Sequence, residues 1–532
     1  MKNSIEYLIA VFIAILSSVS SGYAQGKAIF TGKIITDQGT PKLDLIITRH
    51  PLLFINDEWI WNIPVNAQGD FKFEVDFDEG DIAYITVLER TSNSRFFSNA
   101  KVSIGDNVNL NVNIKGRAGD DLFGGGDLHP KIKFTGKGAL KFEVWDAMYA
   151  VNKKQVTGQF VPQRLSEGLF RLIRQKMNIL ELYESRITVG EFDLLKRDML
   201  AHTLDVGLHH IFIKPTFQKS DPEVLKSNME RAKVLPEQTY LEFSQLYKND
   251  DSISFNKRRE VYKQLLTQTE SILKDEQIAE SPFSDCYFLG RIISETTFLN
   301  NGEAMYFEDV VKYLNRKYSG LVRDRVLCKL IRDNASLFIP FRDPNNLNSI
   351  ISESLKSIKN PLLLAEIKKI SRTRVRGEAP YNFSFPADSS GKMVKLSDLK
   401  GKVVLVDMGS DGCTGCYKFA NAFHKEVYPI FKNNPNFKVV SILSMKSHSN
   451  YLKVVKGENA GPTFTYPEYI NLFSKRDSKE DRQMGEYYGL TGWPFLQLIG
   501  KDGKVYSSNI PRVDDPKNIP TLINLIKQAL AE

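Results

Sequence analysis

Residues 404–416 read Val-Leu-Val-Asp-Met-Gly-Ser-Asp-Gly-Cys-Thr-Gly-Cys. The apolar run predicts a buried strand, the glycines predict a tight turn, and the two cysteines stand where a helix begins. A cysteine at a helix N-terminus meets unpaired N–H groups and the positive end of the helix dipole, which stabilise its thiolate. Cys416, one turn further on, can reach the sulfur of Cys413 and close a disulfide. The stretch therefore predicts a site for thiol–disulfide exchange.

The Cys-x-x-Cys spacing also occurs in zinc sites and in structural disulfides. Zinc would need two further ligands, yet no second Cys-x-x-Cys or His-x-x-x-His pattern accompanies this pair; His424 and His448 lie well downstream. A disulfide ring this small restrains little of the unfolded chain, which argues against a purely structural role. We therefore expect no metal and no cofactor other than a redox-active disulfide between Cys413 and Cys416.

Segments on both sides of this stretch carry a family resemblance. Residues 379–385 read Ala-Pro-Tyr-Asn-Phe-Ser-Phe, residues 390–402 read Ser-Gly-Lys-Met-Val-Lys-Leu-Ser-Asp-Leu-Lys-Gly-Lys, and residues 488–504 read Tyr-Gly-Leu-Thr-Gly-Trp-Pro-Phe-Leu-Gln-Leu-Ile-Gly-Lys-Asp-Gly-Lys. Together with the cysteine pair, these segments resemble the TlpA/ResA-like bacterial thioredoxins, in the family's order. The resemblance covers about residues 379–532.

The resemblance implies a role for five residues. Cys413 would be the nucleophile and Cys416 the resolving cysteine. Asp407 would be the buried acid that takes a proton from the second thiol, because desolvation raises a carboxyl pKa. Pro494 would be a cis-proline that leaves the backbone of Trp493 free to bind an extended substrate strand. The alternatives are a solvated Asp407 at a strand end and an ordinary edge-strand proline.

Two features depart from the family pattern. The usual Phe-Trp-Ala-x-Trp before the first cysteine is here Met-Gly-Ser-Asp-Gly at residues 408–412. The residue before the proline, normally small or β-branched, is Trp493. We expect the indole of Trp493 to lie against the disulfide, in space that Gly409 and Gly412 leave open.

The N-terminus predicts export. Residues 1–24 read as a signal peptide, with a charged start, an apolar stretch of ten residues and small residues before a cleavage point near Ala24/Gln25. An uncleaved N-terminal anchor is the alternative. No later segment approaches a transmembrane length. The expected location is periplasmic or otherwise extracytoplasmic.

Composition narrows the function classes. Four cysteines in 532 residues argue against a disulfide scaffold. The remaining two, Cys286 and Cys328, are expected to be buried free thiols, with a structural disulfide as the alternative. The net charge of +8 arises from 71 basic and 63 acidic residues spread along the chain, without a basic cluster, so nucleic-acid binding is not expected.

Four parts follow the predicted signal peptide. Short alternating strands and hairpin turns at residues 25–115 predict an antiparallel β-sandwich, similar to the β-domain ahead of many TlpA-like modules. Residues 116–134, rich in glycine and aspartate, predict a linker. Apolar residues at helical spacing predict an all-α region at residues 135–376, with helices near 236–248 and 345–372 among others and prolines such as Pro361 punctuating them.

The resemblance implies an α/β thioredoxin fold for residues 377–532. Within it the pattern predicts an active-site helix that bends before Pro429, helices at Lys479–Tyr488 and Ile519–Ala531, and a strand at Phe495–Ile499. Aromatic residues within 445–478 indicate either core packing or a substrate surface.

Two functions from different classes remain. The first is an extracytoplasmic thiol–disulfide oxidoreductase, reductant or isomerase-like, acting on protein thiols and disulfides through Cys413 and Cys416. A reducing role in an oxidising periplasm would need an inner-membrane thiol donor. The second is a non-catalytic binding or scaffold protein built on a modified thioredoxin fold.

Overall fold

A computed structural model divides the chain into two compact units, Met1–Thr203 and Leu204–Glu532. The predicted signal peptide, residues 1–24, lies outside the described residues. No helix in the described part of the chain has the length and apolar character needed to cross a membrane. The structure describes residues 26–37, 39–48, 58–77, 83–89, 94–115, 131–156, 165–208, 255–299, 305–333, 339, 341–343, 346–387, 390–411, 413–458, 463–476, 478–490 and 492–532.

In the first unit, the described residues form two four-stranded sheets, with strand orders β4-β1-β7-β8 and β3-β2-β5-β6. Alternating burial along β4 and β7 follows their alternating apolar residues, because successive strand side chains point to opposite faces. The strands are β1 (Gly26–Ile35), β2 (Leu43–Thr48), β3 (Glu58–Ile63), β4 (Asp70–Phe77), β5 (Ala83–Glu89), β6 (Ser94–Val102), β7 (Asn107–Asn113) and β8 (Lys131–Lys137). That the two sheets form a sandwich stays a prediction.

Two details of the sequence prediction for this unit are wrong. The sheets are not wholly antiparallel, since β1 and β7 pair in parallel. The long connection between these strands, which builds the second sheet, makes a parallel pairing sterically possible. Residues 131–134, predicted as linker, begin β8, which pairs antiparallel with β7. The alternation of buried and exposed side chains along β8 is weak, because only Phe134 is buried.

The described residues of the first unit continue with three helices, so the predicted all-α region at 135–376 is divided. They are α1 (Ala139–Val156), α2 (Leu165–Glu181) and α3 (Val189–Leu208), whose last residues pass the boundary of the unit. Buried polar contacts join these helices to the strands. Tyr84 Oη donates to Asp198 Oδ2 over 2.9 Å, and Lys141 pairs with Asp106 at 2.5 Å. These long-range pairs attach α1 and α3 to the sheets, which helical periodicity alone does not reveal.

In the second unit, the described residues from Phe255 to Arg374 form a helical part. Its described helices are α4 (Phe255–Glu270), α5 (Asp275–Ile278), α6 (Ser284–Leu299), α7 (Phe307–Lys317), α8 (Gly320–Asp333), α9 (Asn346–Ser357) and α10 (Pro361–Arg374). The sequence predicts helical structure near 345–372 punctuated by Pro361, and α10 begins at that proline. Asn360 caps it by accepting from the N–H groups of Leu362 and Leu363. The helix predicted at 236–248 lies outside the described residues.

The C-terminal part of the second unit is built on a five-stranded sheet of order β13-β12-β11-β14-β15. β11 pairs in parallel with β12 and antiparallel with β14, and β12 pairs in parallel with β13. The strands are β11 (Val403–Ser410), β12 (Phe437–Met445), β13 (Ile470–Lys475), β14 (Phe495–Ile499) and β15 (Val505–Ser507), preceded by the hairpin β9 (Ser384–Pro386) and β10 (Met393–Lys395).

Helices cover both faces of this sheet. They are α11 (Thr414–Ala422), α12 (Tyr428–Phe431), α13 (His448–Val455), α14 (Lys479–Tyr488) and α15 (Ile519–Ala531). Alternate residues of β11 enter opposite cores. Leu405 packs with Phe419 of α11 and Ile526 of α15, whereas Val406 packs with Met484 of α14. Burial of β11 on both faces explains why its sequence is a nearly continuous apolar run.

The helix that follows the cysteines is interrupted just before Pro429, where the sequence predicts a bend. Five residues, Phe423–Val427, adopt one π-helical turn between α11 and α12. Proline lacks the N–H that would bond to the carbonyl four residues earlier, and a widened turn accommodates that loss. Phe423 and Val427, which lie in this turn, stay buried.

Candidate active site

The cysteine pair lies at the N-terminus of α11, directly after β11. A disulfide joins Cys413 and Cys416. Cys413 is the N-cap of α11, and its Sγ accepts the backbone N–H of Cys416 over 3.1 Å. Cys413 is half-buried, whereas Cys416 is only 2% exposed. The sulfur of Cys413, the outer cysteine, therefore faces a helix N–H and solvent. The sulfur of Cys416, the inner cysteine, lies in the core.

Asp407 lies beneath the active-site helix. A Cβ at Gly409 would be 3.2 Å from Cys416 Sγ, so this face of β11 contacts the inner cysteine. Residues two apart on a strand share a face, which places Asp407 on the same side one step back from Gly409. Asp407 is 7% exposed, so it is not a solvated strand-end residue. Burial raises the pKa of its carboxyl to about 7.

Arg512 is a site residue that sequence reasoning missed. Its Nη2 donates to the carbonyl of Gly415, between the two cysteines, over 2.7 Å. Its guanidinium lies 5.4 Å from the ring centroid of Phe419 and pairs with Asp514 at 2.9 Å. The positive charge of Arg512 partly offsets the effect of burial on the pKa of Asp407. Nothing local in the sequence marks this arginine, because its contacts form only when the sheet is complete.

Arg512→Gln is therefore expected to raise the pKa of Asp407 above about 7, because the charge that lowers it is removed. Carboxyl chemical shifts of Asp407 followed by NMR across pH 5–9 would measure the change. Arg482→Gln, at an exposed arginine of the same domain, is the control and should leave that titration in place. An Asp407 titration identical in wild type and Arg512→Gln would contradict the assignment.

A second arginine holds the loop before the cysteines. Arg476, just after β13, forms an ion pair with Asp411 and donates through Nη2 to the carbonyl of Ser444 over 2.8 Å. Asp411 stands two residues before Cys413. The pair thus ties the turn that carries Cys413 to the ends of β12 and β13. Sequence reasoning did not identify Arg476 either.

A cis peptide bond joins Trp493 and Pro494, just before β14. Pro494 is buried, and half-buried Trp493 packs against the core cluster that contains Cys416 and Leu443. One detail differs from the sequence-based expectation. The space beside Gly409 is occupied by Cys416 itself, not by the indole, since the inner sulfur approaches the strand closely there. Gly412 lies outside the described residues.

The fluorescence of Trp493 is expected to change on reduction of the disulfide, because its indole packs on the cluster that holds Cys416. The measurement uses a protein in which the other tryptophans, Trp59, Trp61 and Trp145, are replaced by phenylalanine. The same protein carrying serine at both 413 and 416 is the control, and reductant should leave its spectrum unchanged. Identical spectra of the oxidised and reduced cysteine protein would contradict the contact.

The aromatic residues of segment 445–478 serve mainly as core. Tyr469 is buried in the core that contains Phe419 of α11, and Tyr451 and Phe464 are buried in the cluster that contains Cys416. Tyr466 is half-buried and stacks on His424, with ring centroids 3.4 Å apart. The segment also contains α13 and β13, which the sequence did not predict.

The other cysteines lie in the helical part. Cys328 is a free thiol, 1% exposed, and burial raises its pKa well above the usual range. A buried, protonated thiol is a poor nucleophile. Cys286 belongs to α6, and its side chain lies outside the described set.

Comparison with known proteins agrees with this architecture. Residues 401–505 match a family model described as Thioredoxin-like (Thioredoxin_8). The comparison with curated proteins returns no match.

Similar solved structures come from bacteria. A proposed thiol:disulfide interchange protein DsbE from Chlorobium tepidum is 23% identical, with 30% of this chain and 99% of that chain covered and a TM-score of 0.24. A proposed thiol-disulfide oxidoreductase from Bacteroides vulgatus is 28% identical, with 29% and 93% covered and a TM-score of 0.23. A thiol:disulfide interchange protein from Bacteroides sp. is 23% identical, with 27% and 91% covered and a TM-score of 0.21. The family match and the five-stranded sheet together identify a thioredoxin-like domain in the C-terminal part of this chain, matched at residues 401–505.

Proposed function

We propose that the protein is an extracytoplasmic thiol–disulfide oxidoreductase that acts on protein disulfides through Cys413 and Cys416. The observation that carries the proposal is the asymmetry of the pair. The half-buried Cys413 sulfur accepts a helix N–H, while Cys416 is buried above Asp407. A helix N-terminus favours the thiolate, so the accessible cysteine is also the more reactive one.

In the proposed reaction, the Cys413 thiolate attacks one sulfur of a substrate disulfide, and the other substrate sulfur leaves as a thiolate. Cys416 then gives its proton to the Asp407 carboxylate and attacks the Cys413 sulfur of the mixed disulfide. The second substrate thiolate leaves, and the Cys413–Cys416 disulfide remains. Two electrons have passed to the substrate. A carboxyl with a pKa near 7 can accept the proton and later release it at neutral pH.

Trp493 and Pro494 are proposed to bind the substrate. The backbone N–H and carbonyl of Trp493 would pair with an extended segment of the substrate and place its disulfide over Cys413. Reduction of the Cys413–Cys416 disulfide for another cycle requires two electrons from a dithiol. We propose an inner-membrane thiol donor, because the periplasm itself is kept oxidising. The proposal includes no metal and no cofactor other than the redox-active disulfide.

Location is tested on the mature protein. If residues 1–24 are a signal peptide, the chain purified from the cell envelope should begin at Gln25 by N-terminal sequencing. The chain with a charged residue introduced into its apolar stretch, Ile13→Arg, is the control and should stay unprocessed. A mature protein that retains Met1 would contradict cleavage.

The activity is tested by mixing the reduced protein with insulin. One insulin disulfide should be reduced for each Cys413–Cys416 disulfide that forms. Equilibration with glutathione or dithiothreitol mixtures then gives the potential of the pair. A value below about −200 mV supports the reducing direction, and a value near about −120 mV would instead indicate an oxidant. A pair that exchanges with no protein disulfide would favour the scaffold function.

A further inference from the structure

The end of helix α10 lies inside the protein, against the thioredoxin-like domain. Arg374, its last residue, is 3% exposed. Its Nη1 donates to the carbonyl of Arg332 in α8 over 2.5 Å, and its Nη2 donates to the carbonyl of Tyr488 over 2.7 Å. One guanidinium therefore joins two helices of the helical part to the last residue of α14.

Tyr488 is one of two residues that flank the segment carrying Trp493 and Pro494. We call this segment, which connects α14 to β14, the proline loop. Phe495, the first residue of β14, is the other flanking residue. The Arg374 guanidinium lies 5.3 Å from the centroid of the Phe495 ring. Arg374 thus contacts the chain on both sides of the proline loop.

A second buried connection reinforces the first. Gln497 in β14 is 0% exposed and donates through Nε2 to the carbonyl of Thr373, next to Arg374, over 3.1 Å. The hydroxyl of Tyr488 donates to Gln497 Oε1 over 2.9 Å. The end of α10 is therefore bonded to a residue on each side of the proline loop, and those two residues are bonded to each other.

A buried guanidinium is an unusual choice if the contact only holds two parts together. Desolvation of a charge costs several kcal/mol, and apolar side chains of similar volume usually stabilise such an interface as well or better. Burial lowers the pKa of Arg374 to about 10, so it remains charged at neutral pH. What the guanidinium adds is direction, since its donors fix the positions of particular carbonyls.

We infer that the helical part of the second unit positions the proline loop for substrate binding and that Arg374 is the positioning residue. The inference rests on the proposed function, in which Trp493 binds the substrate backbone. A displaced proline loop would weaken binding of an extended protein substrate. It would leave the reaction of Cys413 with a small disulfide unchanged, because such a reagent does not use the loop.

The test compares four forms of the full chain. Arg374→Met keeps an unbranched side chain but removes every hydrogen-bond donor. Arg374→Lys keeps the positive charge but loses the two diverging N–H groups of the guanidinium. Arg376→Met, two residues further on, is the matched control, because Arg376 pairs with Glu532 at the surface and contacts Tyr506. Each is assayed for insulin reduction, giving kcat and KM, and for reduction of dithiobis(nitrobenzoate).

For Arg374→Met we expect KM for insulin to rise about tenfold, the effect of losing hydrogen bonds from a charged donor, with kcat changed less than about twofold. Arg374→Lys should give an intermediate KM. Rates with the small disulfide should equal those of wild type, and Arg376→Met should match wild type throughout.

Three results would overturn the inference. The first is an unchanged KM in folded Arg374→Met. The second is an equal loss of rate with insulin and with the small disulfide, which would show general damage. The third applies if Arg374→Met does not fold. In that case Arg374→Lys is the deciding variant, and a KM for insulin equal to that of wild type would contradict the inference. Inactivity of the wild-type protein towards insulin would instead reject the proposed function, and the inference with it.

Discussion

Cys413→Ser is expected to abolish disulfide reduction, with a loss of at least about a thousandfold, because a serine hydroxyl is not ionised at neutral pH and cannot replace the thiolate. Cys416→Ser should also stop turnover, but at a later step. Cys413 can still attack, and the mixed disulfide then accumulates because no second thiol resolves it. The two variants should therefore fail differently, which mass spectrometry of protein mixed with insulin would show.

The control for removal of a thiol is Cys328→Ala. Cys328 is buried in the helical part and holds its proton, so its loss should leave reduction of insulin intact. Covalent complexes that form with Cys413→Ser but not with Cys416→Ser would reverse the roles of the two sulfurs. No complex with either variant would favour a scaffold with an inert pair.

Asp407→Asn is expected to stabilise the oxidised protein at alkaline pH. The native carboxyl holds its proton to about pH 7, whereas the unfolded one releases it near its ordinary pKa of 3.8. Native stability is therefore lost as pH rises between these values. The pKa shift corresponds to a loss of at most about 4 kcal/mol in the free energy of unfolding, and asparagine, which does not ionise, avoids this loss. The two proteins should be similar near pH 4 and differ by up to that amount at pH 8.

Urea unfolding followed through Trp493, in the protein without the other three tryptophans, measures the difference. Glu468→Gln is the control, because Glu468 is an exposed carboxylate of the same domain. Its stability should follow the pH dependence of wild type. A stability difference between Asp407→Asn and wild type that stays constant from pH 4 to pH 8 would exclude a raised pKa for Asp407.

Asp407→Asn should also slow turnover, at the step in which Cys416 resolves the mixed disulfide. Without the carboxylate, Cys416 loses its proton acceptor, and loss of a general base typically costs about a hundredfold or more. Formation of the mixed disulfide at Cys413 should keep its rate. Stopped-flow measurement of the two phases separates them, and a slower first phase with an unchanged second would reject the role of Asp407.

Local patterns were sufficient for much of the C-terminal domain. The strand Phe495–Ile499 and the helices Lys479–Tyr488 and Ile519–Ala531 begin and end where the sequence predicts them. Their boundaries are encoded nearby, by Gly489 in the left-handed C-cap of α14 and by Pro520 in the first turn of α15. The strand β13 was missed because its alternation is imperfect, with polar Asn471 and Ser474 buried.

The sequence by itself determined the thioredoxin-like domain, the order of its central elements and the two cysteines at a helix start. The domain follows from the resemblance of several motifs to a known family, whereas the order of the elements and the helix start depend on periodicity and turn chemistry within a few residues. Only the tertiary structure decided the surroundings of the cysteines. Arg512 meets Gly415 across 97 residues of sequence, and Arg374 meets Tyr488 across 114. Such contacts depend on how complete sheets and helices pack, and a burial-raised pKa like that of Asp407 depends on the same packing.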